Sequence, residues 1–410
     1  MWSTYITINN NNLDRKKVFC MLIKNVMIFT DNGQFKPGKL WIKGEAIERV
    51  DVISGQDNDP SEPFLCEAEE VLDGAGGYII PGLTDLHFHG CAGYDFCDGT
   101  QEALQAIGKY EASHGITAIC PATMTLPEET LSEICRNAAD YREDGGSVLC
   151  GIHMEGPFLS EKKKGAQNAT YLHKPDIQMY ERLNQLSGNL FKIVSIAPEE
   201  KGAMEFITEL KDRVVLSLAH STAGYDIARE AFDKGLCHVT HLYNAMPPFH
   251  HRDPGVVGAA FDSKGTTVEL ICDGIHLHPG MIRATIKMFG EDRIIFVSDS
   301  MRATGLPDGT YSLGGQEVRV SGRMATLGDG TIAGSVTNLF ECMRKTVKEF
   351  GVPLETAVRA AAVNPAKRIG IYDKYGSIEP GKTANILLLN QDLELVKVIL
   401  RGSILEHSEV

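Results

Sequence analysis

Six apolar runs of this chain end on residues able to hold a metal ion or carry a proton. The first, in PGLTDLHFHG, ends on His87 and His89, and the third, in GIHMEGPF, on His153 and Glu155. The fifth, in LSLAHST, ends on His220, and the sixth, in HVTHLYNAM, on His241. The seventh, in LICDGIH, ends on Asp273 and His276, and the eighth, in IIFVSDS, on Asp299. Singly these residues decide little. With 13 His in 410 residues, roughly 0.4 His-x-His pairs arise by chance, and a second pair, His276 and His278, is present. A lone histidine is more often a satisfied core or surface residue, and a carboxylate at a strand end is more often a helix cap.

Together they carry a chemistry. Imidazole and carboxylate donors without thiolate suit Zn²⁺ or Fe²⁺. Such an ion lowers the pKa of water to about 7 and polarises a carbonyl. Hydrolysis of an unactivated amide needs both effects, and also a group that takes the water's proton and returns it to the leaving nitrogen. Asp299 is the natural candidate for that group. His87 and His89, two apart, share one face of a strand. His153 shares the face of Glu155 and reads as a supporting or packing histidine.

These residues need elements that aim them at one point. Eight apolar runs, Leu83–His89, Ile116–Ala122, Val148–Glu155, Phe191–Ala197, Val214–His220, His238–Leu242, Val268–Asp273 and Ile294–Asp299, alternate with amphipathic stretches such as QEALQAIGKYEASHG and AGYDIAREAFDKG. Eight such units argue for an α/β fold, a (β/α)8 TIM barrel, rather than a doubly wound sheet. In that barrel the C-terminal ends of the strands gather in one pocket. Residues 21–80 and 376–410 read instead as short strands broken by Gly and Asn turns. They are expected to meet as a small β-sandwich beside a barrel spanning 81–375, with residues 1–20 a disordered tail.

Bulk properties narrow the partners. A net charge of −14 argues against nucleic acid, which needs a basic face. No apolar run reaches the length of a membrane span, and the polar, Asn-rich N-terminus lacks the apolar centre of a secretion signal. Ten scattered cysteines form no CxxC and no disulfide framework. Cys120, Cys150 and Cys272 read as buried thiols, and a cytoplasmic location is expected.

The stretches PGLTDLHFHG, GIHMEGPFLSEKKKGAQN, SLAHSTAGYD, VTHLYNAMPPFHHRDPG, DGIHLHP, VSDSM and GSIEPGKTANILLL together resemble the N-acetylglucosamine-6-phosphate deacetylase family of the amidohydrolase superfamily. The resemblance runs from about Met21 to Arg401, and HMEGPF and THLYNAM separate this branch from dihydroorotases and hydantoinases. It implies metal-dependent hydrolysis of N-acetyl-D-glucosamine 6-phosphate to D-glucosamine 6-phosphate and acetate, in amino-sugar catabolism. By motif it implies Glu155, His220 and His241 as core metal ligands and Asp299 as the proton-transfer residue. Asn244 and Ala245 match a backbone contact to the sugar phosphate. Arg252 matches an arginine reaching the phosphate in the neighbouring subunit, which implies a homodimer; a bidentate guanidinium suits that task. Asp273 and His276, the Ile332, Ala333 and Gly334 stretch, and Ala166 with Gln167 match substrate-contacting segments, while His278 is a bystander.

Two departures matter. The family varies at the opening motif; both His87 and His89 are present here, which allows a second metal beside the first, with Glu155 bridging. Gln167 stands where a histidine contacting the acetamido carbonyl is common, and its amide still donates a hydrogen bond. Other readings stay open: the N-acetylgalactosamine 6-phosphate epimer as substrate, a cyclic-amide hydrolase, and a non-catalytic assembly protein on the same fold. A cyclic-amide hydrolase would use a carbamylated lysine at a strand end, whereas Lys192 sits at the start of the fourth run. An assembly protein should have lost its ligands.

Overall fold

A computed structural model describes residues 19–53 and 68–406; the tail expected at residues 1–20 lies outside them except for its last two residues. Each of the eight apolar runs contains a strand. Ile152–Met154, Phe191–Ile196, Val215–Leu218, His238–Val239, Thr267–Ile271 and Ile294–Val297 pair in that order as a six-stranded parallel sheet. Leu83–Asp85, Ile116–Ile119 and Val148–Leu149 form a three-stranded parallel sheet. The two sheets approach at both ends. A bridge joins Ala122 to His153, and at the other seam the Asp299 N–H donates to the His87 carbonyl at 2.9 Å. The result is a curled parallel sheet. Ile294–Val297 is buried at every residue, which is why the strand sequences read as apolar runs rather than alternating patterns.

The helices between strands show one apolar face each. In Gln101–Ser113 the buried residues include Ala103, Leu104, Ile107 and Ala112, and Thr100 caps the first turn by accepting from the Ala103 N–H. Asp176 and Asn338 cap Ile177–Leu186 and Leu339–Lys348 in the same way.

The two chain ends do meet, but as one sheet rather than two stacked ones. Its order is Ser403–Ile404, Leu395–Leu400, Ile386–Leu389, Glu70–Pro81, Cys20–Phe29, Phe35–Lys43, Ala46–Val52. The sheet rolls on itself: the Ile47 N–H donates to the Lys382 carbonyl at 2.9 Å and the Ala384 N–H to the Glu45 carbonyl at 2.8 Å. Strand twist accumulates across seven strands until opposite ends touch, enclosing a core of Ile23, Ile28, Leu40, Ile42, Ile79, Ile386 and Ile399. An antiparallel sheet of Gly309–Leu313, Gln316–Ser321 and Met324–Thr326 follows the eighth run and was not expected from the sequence.

Cys20 is disulfide-bonded, a bond that the scattered cysteine spacing did not signal. Cys120 and Cys272 are buried thiols, and Cys150 is a half-buried one. Among the described residues no helix is long and apolar enough to cross a membrane.

Candidate active site

The strands stop short of the residues that matter. Val215–Leu218 ends two residues before His220, His238–Val239 two before His241, and Ile294–Val297 two before Asp299. All three residues then turn left-handed, with φ of 43°, 30° and 49°. Side chains with a Cβ occupy that region at a cost of about 1–3 kcal/mol each. Surrounding bonds hold them there: the His220 carbonyl accepts from the Ser160 N–H, and the Asp299 carbonyl from the Ser335 N–H at 2.6 Å.

Glu155 is the hub. Its Oε1 lies 3.0 Å from His220 Nε2, 3.2 Å from His241 Nε2 and 3.5 Å from His87 Nε2; its Oε2 lies 3.3 Å from His89 Nε2. Two groups able to hold an ion result, His87–His89–Glu155 and Glu155–His220–His241, sharing that carboxylate. Asp299 Oδ1 stands 3.4 Å from His89 Nε2 and 3.8 Å from His87 Nε2.

Proton positions show that the site fits a metal. His220 Nδ1 lies 2.8 Å from the Lys163 carbonyl, which can only accept, so Nδ1 carries a proton and Nε2 is left to face Glu155. His87 Nδ1 faces a second carboxylate, Glu269, at 3.2 Å, so its Nε2 is also turned toward Glu155, and that atom has no hydrogen-bond partner among the described residues. Ring nitrogens converging on a buried carboxylate call for positive charge between them, carried by protons or by an ion. Burial would push the Glu155 carboxyl up, but His87, His220 and His241 hold it well below the usual range. Burial likewise opposes, and Asp299 and Glu155 outweigh it, in raising His89. Asp299 is lowered against its burial by His89 and His87, leaving it ionised.

A cavity of about 370 Å³ opens over this cluster, and His89, Glu155, His220, His241 and Asp299 line its floor. Ala166, Gln167, Asn244, Ala245, His276, Ile332 and Gly334 line it as well. His87 is packed behind the floor, fully buried. Ala333 is buried and off the lining. Asp273 is also off it; it holds His276 instead, with Oδ2 2.8 Å from His276 Nδ1 and Oδ1 accepting the Ile275 and His276 N–H groups. Arg252 does not reach this cavity; it is exposed, its Nη1 2.8 Å from His251 Nε2.

Three residues make bonds that their sequence readings did not specify. Gln167 accepts the Thr125 N–H on Oε1 at 2.7 Å, which fixes its amide, so its NH₂ donates to Glu155 Oε2 at 3.0 Å. In this arrangement its amide is turned to the hub carboxylate, not to a substrate carbonyl. His153 has both ring nitrogens taken, by the Leu86 carbonyl at 3.2 Å and Ser195 Oγ at 2.8 Å, and burial pushes it down to about 3. His278 accepts from the Gly280 N–H and caps Pro279–Phe289.

Sequence reasoning missed Lys162 and Lys163, which line the cavity; the run EKKKG was a visible signal. It also missed Glu269 and His238, buried in mid-strand. Thr331 and Leu313, brought to the cavity by the added antiparallel sheet and the loop after it, carried no signal.

The amidohydrolase family model matches residues 78–405. The N-acetylglucosamine-6-phosphate deacetylase of Bacillus subtilis is 37% identical over 94% of this chain and 96% of its own length. The N-acetylgalactosamine-6-phosphate deacetylase of Escherichia coli O157:H7 is 32% identical over 80% of this chain and 87% of its own length. Among solved structures, the N-acetyl-D-glucosamine-6-phosphate deacetylase from Mycobacterium smegmatis superposes with a TM-score of 0.84 at 30% identity, covering 94% of this chain and 99% of that one.

Proposed function

The chain belongs to the amidohydrolase family, within its N-acetylglucosamine-6-phosphate deacetylase branch, and from that premise we propose how its site works. The enzyme hydrolyses N-acetyl-D-glucosamine 6-phosphate to D-glucosamine 6-phosphate and acetate. The observation that carries this reading is one buried carboxylate, Glu155, shared by four histidines on the floor of a cavity that Asp299 also lines.

Glu155, His220 and His241 would hold one divalent ion, zinc or iron, and His87 and His89 with Glu155 would hold a second. When bound, such an ion acidifies water and polarises the acetyl carbonyl. Asp299, ionised and at the floor of the cavity, removes a proton from water as its oxygen attacks the acetyl carbon. It passes that proton to the nitrogen as the C–N bond breaks, so that acetate and a free amine leave. Gln167 steadies Glu155 through the bond its fixed amide makes.

Anionic substrate finds cations at the cavity in Lys162 and Lys163. The Asn244 and Ala245 backbone adds neutral donors for the phosphate. Arg252, outside its own cavity, completes the neighbouring site in a homodimer. The parallel strands of the eight runs close as a (β/α)8 barrel, with the rolled sheet as the small second domain, and free thiols at eight cysteines fit a cytoplasmic enzyme.

A second reading, the N-acetylgalactosamine 6-phosphate epimer, is kept by the Escherichia coli O157:H7 relative. Acetate release from both phosphorylated sugars and from N-acetylglucosamine decides between them. The glucosamine phosphate should have the highest kcat/KM, with the unphosphorylated sugar at least about 100-fold lower, the scale of lost charge-assisted bonds. Equal rates with and without phosphate would overturn the phosphate contacts; a preference for the galactosamine phosphate would reassign the substrate.

A further inference from the structure

Behind the cavity floor lies a second carboxylate. Glu269 sits in the middle of Thr267–Ile271, a strand buried at every residue. Its ion-pair partners among the described residues are two histidines, His87 and His238. Glu269 Oε1 lies 2.9 Å from His238 Nε2. Its Oε2 lies 3.2 Å from His87 Nδ1 and accepts the backbone N–H of His241 at 3.1 Å.

Counting protons around it fixes the arrangement. His238 Nδ1 is 2.6 Å from Thr267 Oγ1, a hydroxyl that can donate, so a neutral His238 carries its proton on Nε2 and gives it to Glu269. His87 must donate from Nδ1. Ionised, this carboxylate is a buried charge with no lysine or arginine ion-paired to it among the described residues, and a buried charge needs a counter-charge. The place for one is at the far nitrogen of His87, where Nε2 faces Glu155 and has no hydrogen-bond partner.

His87, His153 and Glu269 are also close enough to be a third ion-holding group. Both nitrogens of His153 are already engaged, by the Leu86 carbonyl and Ser195 Oγ, and His87 Nδ1 faces Glu269, so neither ring has a nitrogen left to share there. The cluster is an orienting network rather than a site.

We propose that Glu269 is a positioning residue for the metal centre: it sets the tautomer and angle of His87, supplies the charge that a cation at His87 Nε2 balances, and ties the His241 turn to the same carboxylate. One residue thus reaches both halves of the centre, His87 through its ring and His241 through its backbone. The inference rests on the metal-dependent reading above. Carboxylates behind a ligating histidine raise its basicity, and losing one typically weakens metal binding about 10–100-fold.

The test is Glu269→Gln, which keeps shape and removes charge. Metal affinity is read by chelator competition, and Tm is compared for metal-free and metal-loaded protein. The expected result is metal binding at the His87–His89 pair weakened about 10–100-fold, with a metal-free Tm at or above that of the wild type and a smaller rise on metal addition. Unchanged affinity, or a lower metal-free Tm with the metal-dependent rise intact, overturns the proposal and leaves Glu269 a strut. Should Glu269→Gln not fold, Glu269→Asp, which keeps charge but shortens reach, should show the same loss of affinity; failure of both to fold overturns it too. Wild-type protein that binds no metal sinks the metal-dependent reading itself, an outcome separate from these.

Discussion

Asp299 is held so that its side chain can be changed without moving its backbone. Its N–H donates to the His87 carbonyl and its carbonyl accepts from Ser335, while φ stays at 49°. Asparagine tolerates that left-handed conformation well, so Asp299→Asn should leave the groups around Glu155 in place. The amide cannot take up a proton, and general-base catalysis of this kind contributes about 10²–10⁴-fold. Turnover should fall by that factor with metal content at the wild-type level, checked by acetate release and elemental analysis of one preparation. Full activity would remove Asp299 from proton transfer. At this scale the sequence was informative where residue type alone limits chemistry, as for Glu155, His220 and His241. It was silent where the orientation of one side chain decides: Gln167 was placed at the site from its motif, but only the Thr125 N–H shows which way its amide turns.

The elements were legible for a related reason. Strands buried on both sides are written as apolar runs, and each of the eight spans expected overlaps a strand. Their ends were not, because His220, His241 and Asp299 leave the ladder in left-handed turns that no periodicity encodes. The rolled sheet was read as a sandwich because strand patterns fix which residues face inward, not how far twist carries a sheet round. The helix Gln101–Ser113 holds a further surprise: Glu111 lies on its buried face, with neither carboxylate oxygen hydrogen-bonded among the described residues. Burial, then the negative charge of Asp85, push its carboxyl up to about 8. An unfolded glutamate titrates near 4.3. Between those values the folded chain holds a proton the unfolded chain has lost, so this group's contribution to stability is greatest below about pH 4.3 and falls as pH rises toward 8. Glu111→Gln removes this group's share of the fall, roughly 2–4 kcal/mol by pH 7. Urea unfolding from pH 5 to 8 should show the wild type losing stability relative to the variant; parallel profiles would mean that Glu111 stays ionised in the fold.

For the whole molecule the open matter is where Arg252 acts. The chain carries a net charge of −14 and a substrate phosphate adds more, so the phosphate end of the site depends on local cations. Lys162 and Lys163 line the cavity of the same chain, while Arg252 is exposed on the FHHRDPG turn away from its own cavity. An arginine that works only across a two-fold axis leaves a signature in mixtures. Arg252→Ala chains keep Asp299 but lack the arginine; Asp299→Asn chains keep the arginine but lack the carboxylate. In a heterodimer of the two, the site on the Arg252→Ala chain receives Arg252 from its partner and is whole, while the other site is dead. Random pairing at equal amounts makes about half the dimers mixed, each with one working site, so about a quarter of wild-type activity should return. If Arg252 instead served its own chain, every site in the mixture would lack one of the two groups and activity would stay at the level of the parents. Activity measured after unfolding and refolding the variants together, with heterodimer formation checked by differently tagged chains, separates the two outcomes: no recovery in demonstrated heterodimers rules out a cross-subunit arginine.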